Sequence, residues 1–110
     1  FWFVTIPSGV AFSAAALDIY YRTTVITGTF QVDLTTLTRA DAEAWDTAGT
    51  LDSSTADTVP GTAGQVGVVT TALTVTGWAA GEVLLIKIAR NIADTAAADI
   101  KLINAVLRLT

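Results

Sequence analysis

Six of the ten acidic residues of this chain fall into close pairs: Asp41 with Glu43, Asp52 with Asp57, and Asp94 with Asp99. Two carboxyl groups held at a fixed separation are the working parts of glycoside hydrolysis. Each pair, however, lies in a polar stretch or at the border of a strand-like run, where short acidic side chains serve as turn and cap residues. His and Cys are absent, which removes imidazole-assisted and thiolate nucleophilic catalysis and zinc sites built on either ligand. Ser8, Ser13, Ser53 and Ser54 remain, and none sits in a G-x-S-x-G elbow. The oxygen-bearing run Asp52, Ser53, Ser54, Thr55 and Asp57 lacks the spacing of a calcium loop, and Gly61, Gly64 and Gly67 lack the Lys and following helix of a phosphate cradle. The expectation is a protein that is not an enzyme and uses no cofactor or metal.

Flat aromatic rings are the other chemistry within reach. Trp2, Trp45 and Trp78 are the three indoles. Trp2 stands in an apolar run and reads as core or interface. Trp78, inside Gly77-Trp78-Ala79-Ala80-Gly81, reads as a lid over one end of the fold. Trp45 lies in an acidic segment, and with Asp41, Glu43 and Asp46 it would line the site of a carbohydrate- or receptor-binding module whose ligand is a host-surface glycan. Packing is the competing role for every one of these rings, since aromatic side chains usually contribute buried area.

Hydrophobic residues make up 52% of the 110 positions and charged residues only 15%, with a net charge of −4. A charged share well below the roughly 25% of ordinary domains leaves apolar side chains facing partners. The cations are few (Arg22, Arg39, Lys87, Arg90, Lys101 and Arg108), too sparse to displace the counterions of a nucleic acid. No apolar run reaches the ~20 residues of a membrane-crossing helix. The expected partners are therefore other protein surfaces, with no nucleic acid and no membrane.

The elements that must position these residues show a period of two. Leu17, Ile19 and Tyr21 alternate with Asp18, Tyr20 and Arg22, and Phe30, Val32 and Leu34 alternate with Gln31, Asp33 and Thr35. Further strands are expected at Phe1 to Val4, Val66 to Val75, Val83 to Ala89 and Lys101 to Leu109, all rich in β-branched or aromatic residues. The polar stretch Asp46 to Gly64 reads as an exposed loop holding one short edge strand at Ala56 to Val59. Helical turns are expected at Thr38 to Trp45, with Thr38 as N-cap, and at Asp94 to Ala98. Seven or eight short strands with Gly- and Pro-marked turns predict one all-β domain over residues 1–110, an antiparallel β-sandwich of jelly-roll-like kind. Its apolar start at Phe1 reads as a processed terminus or as the point where a longer chain becomes ordered.

The terminal strands carry apolar side chains on both sides. Ile103, Ala105, Leu107 and Leu109 form one face of the last strand, while Leu102 and Val106 stand on the other, and Trp2, Val4 and Ile6 oppose Phe1 and Phe3. A strand apolar on both faces is covered on both. The second cover comes from another copy, another protein or a longer loop of the chain; on the first two readings Trp2, Val4, Ile6, Leu102 and Val106 are the expected oligomer interface.

The run Ala79-Ala80-Gly81-Glu82-Val83-Leu84-Leu85-Ile86-Lys87-Ile88-Ala89-Arg90, followed by Asp94-Thr95 and Asp99-Ile100, resembles a pattern of bacteriophage virion proteins. There, a small-small-Gly-acid turn precedes an apolar strand ending in Arg, and an acidic residue opens the last strand. Ile6-Pro7-Ser8-Gly9 and Leu17-x-Ile19-x-Tyr21 resemble the first strands of the same domains. Glu82 departs from the commoner Asp, and Leu109 from a frequent aromatic. The resemblance implies a jelly-roll module of a head fibre, tail fibre or capsid decoration protein, located in the virion, homotrimeric, and seated on other virion proteins such as the major capsid protein. It also implies that Arg90 pairs with Asp99.

Overall fold

A computed structural model describes residues 2–40, 43 and 49–110, with Trp2 described by its backbone alone. The described residues are all-β, with seven strands: β1 (Trp2–Thr5), β2 (Ala15–Arg22), β3 (Thr29–Arg39), β4 (Thr50–Thr58), β5 (Val66–Leu73), β6 (Val83–Arg90) and β7 (Lys101–Leu109). They form two antiparallel sheets, ordered β1-β6-β3-β4 and β5-β2-β7. The two sheets face each other as a β-sandwich. Among the described residues no helix is long and apolar enough to cross a membrane.

The alternation read from the sequence becomes the core. Leu17, Ile19 and Tyr21 of β2 and Phe30, Val32 and Leu34 of β3 are almost fully buried, as are Leu84 and Ile86 of β6. Each such side chain contributes about 1.5–3 kcal/mol by leaving water. The rings of Tyr21 and Phe30, one from each sheet, tilt against each other with centroids 4.7 Å apart. The Tyr21 hydroxyl crosses to the opposite sheet and donates to Asp57 Oδ2 at 2.5 Å. Gly67 stands directly opposite Tyr21 in the β2–β5 register. A Cβ there would lie within 2.7 Å of the phenol oxygen, so only glycine leaves room for the ring.

Two expectations about the middle of the chain are overturned. The strand in the polar stretch is not a short piece at Ala56 to Val59; β4 covers Thr50–Thr58 and pairs with β3 along most of its length. Thr38 and Arg39 do not start a helix, because they continue β3 and pair with Leu84 and Val83 of β6. Asp94 caps no helix either. Its carboxylate accepts from Gln31 N at 3.1 Å and from Arg90 Nε at 2.9 Å and Nη2 at 2.7 Å. Arg90 therefore pairs with Asp94 and not with Asp99, since the i,i+4 spacing across the turn after β6 brings the nearer acid to it.

The guanidinium of Arg90 also donates to the carbonyls of Ala98, at 2.7 Å, and Ala96. One side chain thus holds the whole 91–100 connection in shape. Ala96 is buried, and its N–H donates to Thr29 O at 2.9 Å, which docks the connection on the start of β3. Gly28, at φ +94°, makes that approach possible, because a Cβ there would meet Thr95 O at 2.8 Å.

Candidate functional site along the open side of the sandwich

The two long sides of the sandwich are built differently. On one, β4 and β5 close against each other. The inner face of β4 is polar, and its groups are paired across the sheets. The Thr71 hydroxyl lies 2.7 Å from both Ser53 Oγ and Thr55 Oγ1, and Thr71 is only 1% exposed. Asp52 is the extra residue of a bulge, between the pairs Leu34–Ser53 and Thr35–Leu51, and its carboxylate accepts from Thr74 N at 2.9 Å. This side is sealed by hydrogen bonds.

The other side is open. No Cα of β7 comes within 8 Å of one in β1 or β6. Two crevices follow β7 along its free edge. One, of about 410 Å³, is lined by Val4, Thr5, Pro7, Ala105, Val106, Leu107 and Leu109. The second, of about 420 Å³, continues beside Phe30, Ile88, Ile100 and Leu102, with Arg90, Asp99 and Lys101 at its rim.

β7 is nine residues long and pairs with β2 on one edge only. A bulge facing Tyr20 and Tyr21 passes over Ile103, so that Asn104 pairs with Tyr20 and Leu102 with Tyr21. Ile103 is consequently 52% exposed instead of joining the inner row that simple alternation assigns to it, and Leu102 and Val106 are 51% and 38% exposed. Charge is confined near the ends of the strand. Arg108 forms a bidentate pair with Asp18, at 2.6 and 3.0 Å. Hydrogen bonding to that guanidinium, then to Thr70, holds the Asp18 carboxyl below its ordinary range.

The residues expected at an interface separate into groups. Leu102 and Val106 lie exposed on β7, and Val4 lines the crevice opposite. Trp2 is placed in β1 opposite Ile86, and its side chain lies outside the described residues. Ile6 is a correction. It is 1% exposed within the single chain, because its N–H and C=O bond Glu82 O and Gly81 N at 2.8 Å and fold it into the core. Ile103 and Ala105 belong to the edge instead; the bulge that turns Ile103 outward leaves no mark in residue pattern.

Of the glycan-site residues, Asp41, Trp45 and Asp46 lie outside the described residues. Glu43 is exposed and accepts from Ala40 N at 2.7 Å, a local turn contact. Trp78 packs obliquely on Phe12, with centroids 6.3 Å apart, at the end of the sandwich where a cleft of about 430 Å³ opens beside Thr36, Arg39 and Asp52. Asp52 and Asp57 stand five positions apart on one strand, about 17 Å at ~3.3 Å per residue, wider than the roughly 5–9.5 Å of a glycosidase pair. Among the described residues no three acidic side chains converge as a cation site.

No protein-family model, no curated protein and no solved structure matches the chain.

Proposed function

We propose that this domain is a non-catalytic structural module that works by self-association on the surface of a particle, as a bacteriophage capsid decoration protein or head-fibre domain. The observation that carries the reading is β7: a nine-residue strand with one unpaired edge, exposed Leu102, Ile103 and Val106, and an apolar crevice beside it. Proteins normally blunt such an edge with Pro, inward charge or a covering loop. β7 has none of these along its middle, so a neighbouring chain is its natural cover. The virion assignment is supported by the Ala79–Arg90 run and the acids that follow it, which resemble virion surface domains. The low charged share suits a module whose free surface shrinks on assembly.

Light scattering on the purified chain at micromolar concentration tests the self-association, with a multiple of the chain mass expected. Imaging of intact particles with an antibody against the domain tests the location, with labelling of the outer surface expected. A chain that stays monomeric at all concentrations, or particles that carry no label, would defeat the reading.

A further inference from the structure

β3 changes character along its length. The alternate positions that supply the core, Phe30, Val32 and Leu34, are followed at the same period by Thr36 and Thr38, which are only half-buried. The change coincides with a step in the sheet. β4 pairs with β3 as far as Thr36 and Thr50, and Leu37, Thr38 and Arg39 run on beside β6 alone. On the facing sheet β5 stops at Leu73, and exposed Thr74 and Thr76 follow it. The cleft of about 430 Å³ lies at this step, and its size falls within the ~300–1,000 Å³ of small-ligand sites.

Five threonines line the cleft: Thr36, Thr38, Thr50, Thr74 and Thr76. None of their hydroxyls bonds a described residue, and none is shut away from water. The hydroxyls of Ser53, Thr55 and Thr71, further along the same side, are by contrast paired with one another. Asp52 is fixed by its bulge and by Thr74 N, which donates to Oδ2; Oδ1 takes no bond from a described residue. Trp78 is fixed too. Its N–H donates to Val75 O at 3.0 Å across a turn in which Gly77 takes φ +85°, and its ring packs on Phe12.

We propose that this cleft binds a neutral carbohydrate. A sugar hydroxyl both donates and accepts, as a threonine hydroxyl does, so each can satisfy the other. The Asp52 carboxylate adds a held acceptor, and the Trp78 indole adds apolar surface for the C–H face of a sugar ring. Arg39 and Asp52 set one charge of each sign in the walls, which favours neither an anion nor a cation. A purely apolar ligand would strip water from five hydroxyls and return no hydrogen bond. The inference goes beyond the self-association proposed above and does not rest on it. The cleft borders β4 and β5, on the long side away from β7, so an assembly formed through β7 leaves it open and multiplies weak single-site binding.

The test is a printed array of neutral oligosaccharides of glucose, galactose, mannose and N-acetylglucosamine, with sialylated and sulfated glycans alongside. The full chain is applied after clustering by an antibody to a terminal tag. Binding to a subset of the neutral glycans is expected. Thr36→Val with Thr38→Val keeps the branched shape and removes two hydroxyls; it should weaken binding about tenfold. Asp52→Asn keeps an oxygen for Thr74 N and turns the remaining acceptor into a donor, and it should weaken binding by about tenfold or more. Both variants should keep the circular dichroism spectrum and the scattering mass of the wild type. A blank array, hits confined to the sialylated or sulfated glycans, or neutral hits that both variants retain in full would each overturn the inference. None of these results bears on self-association, which the scattering mass reads separately.

Discussion

Tyr21 concentrates more of the fold's constraints than any other residue described here. It is fully buried, packs at a tilt on Phe30, and donates a hydrogen bond from its hydroxyl to Asp57 on the opposite sheet. Burial, and then the Asp57 hydrogen bond, push the phenol above its ordinary range, so it stays neutral wherever the protein is folded. Its ring occupies the space that any side chain at position 67 would need. Gly67→Ala is therefore expected to destabilise the fold by about 1–3 kcal/mol, the usual cost of an extra methyl in a filled core. Urea unfolding should show a lower midpoint with an unchanged slope. A neutral result would mean that the ring has room to move, contrary to the close approach described. In the sequence Gly67 stands out only through its spacing from Gly61 and Gly64. Its role depends on a register between residues 46 positions apart, Tyr21 and Gly67, which no local pattern records.

At the scale of elements, the connection from β6 to β7 is fixed by charge. Asp94 is held below the ordinary carboxylate range, first by its hydrogen bonds from Arg90 and then by the Gln31 N–H, against the opposing effect of burial. Asp33, hydrogen-bonded by Ser54 and Asn91, and Asp18, hydrogen-bonded by Arg108 and Thr70, are lowered as well. A carboxyl with a depressed folded-state pKa stabilises the fold above its unfolded value and loses that contribution as pH falls through the folded one. Stability should thus decline as pH falls through and below the ordinary carboxylate range. In Asp94→Asn, which retains an oxygen for Gln31 N, the decline should be shallower. Denaturation curves at matched ionic strength check this, and equal slopes for variant and wild type would remove Asp94 from the account. The strands themselves were legible where the residues are apolar: β2 and β3 follow from alternation, and β5, β6 and β7 from their richness in Val, Ile, Leu and Thr. β4 was not, because its inner face is Ser53, Thr55 and Asp57, and hydrogen bonds to the other sheet replace the apolar signal that strand reading relies on. Thr38 and Arg39 misled for a related reason. Cap chemistry suggested a helix start, while pairing with β6 kept them extended.

For the molecule as a whole, the contrast between a hydroxyl-sealed side and an apolar open side decides how the sheets are held. On the sealed side, Thr71→Val removes the hydroxyl that lies within 2.7 Å of both Ser53 and Thr55. It leaves those two groups to find other partners, for an expected loss of about 1–2 kcal/mol. Thermal unfolding should report this as a drop of roughly 4–8 °C per kcal/mol in a domain of this size class. An unchanged midpoint would mean that packing alone holds β4 to β5. The candidate site on the open side was partly legible. The two-faced apolar pattern of β7 pointed to Leu102 and Val106, whereas Ile6 was misassigned because burial by its own chain and burial by a neighbour look alike in sequence. The width of the opening follows from unequal sheets, which no residue pattern reveals.

The pairing of β2 with β7 joins Arg22 to Lys101 and Ala15 to Leu109, separations of 79 and 94 positions. During synthesis, β2 emerges long before the strand that will lie along it, with Leu17, Ile19 and Tyr21 on its inward row. Closing so large a loop costs entropy before any contact repays it, and chains dominated by such distant pairings fold in milliseconds to seconds. A ribosome-bound fragment ending before Lys101 would lack one wall of its core, so the nascent chain must be kept from aggregating until β7 is made.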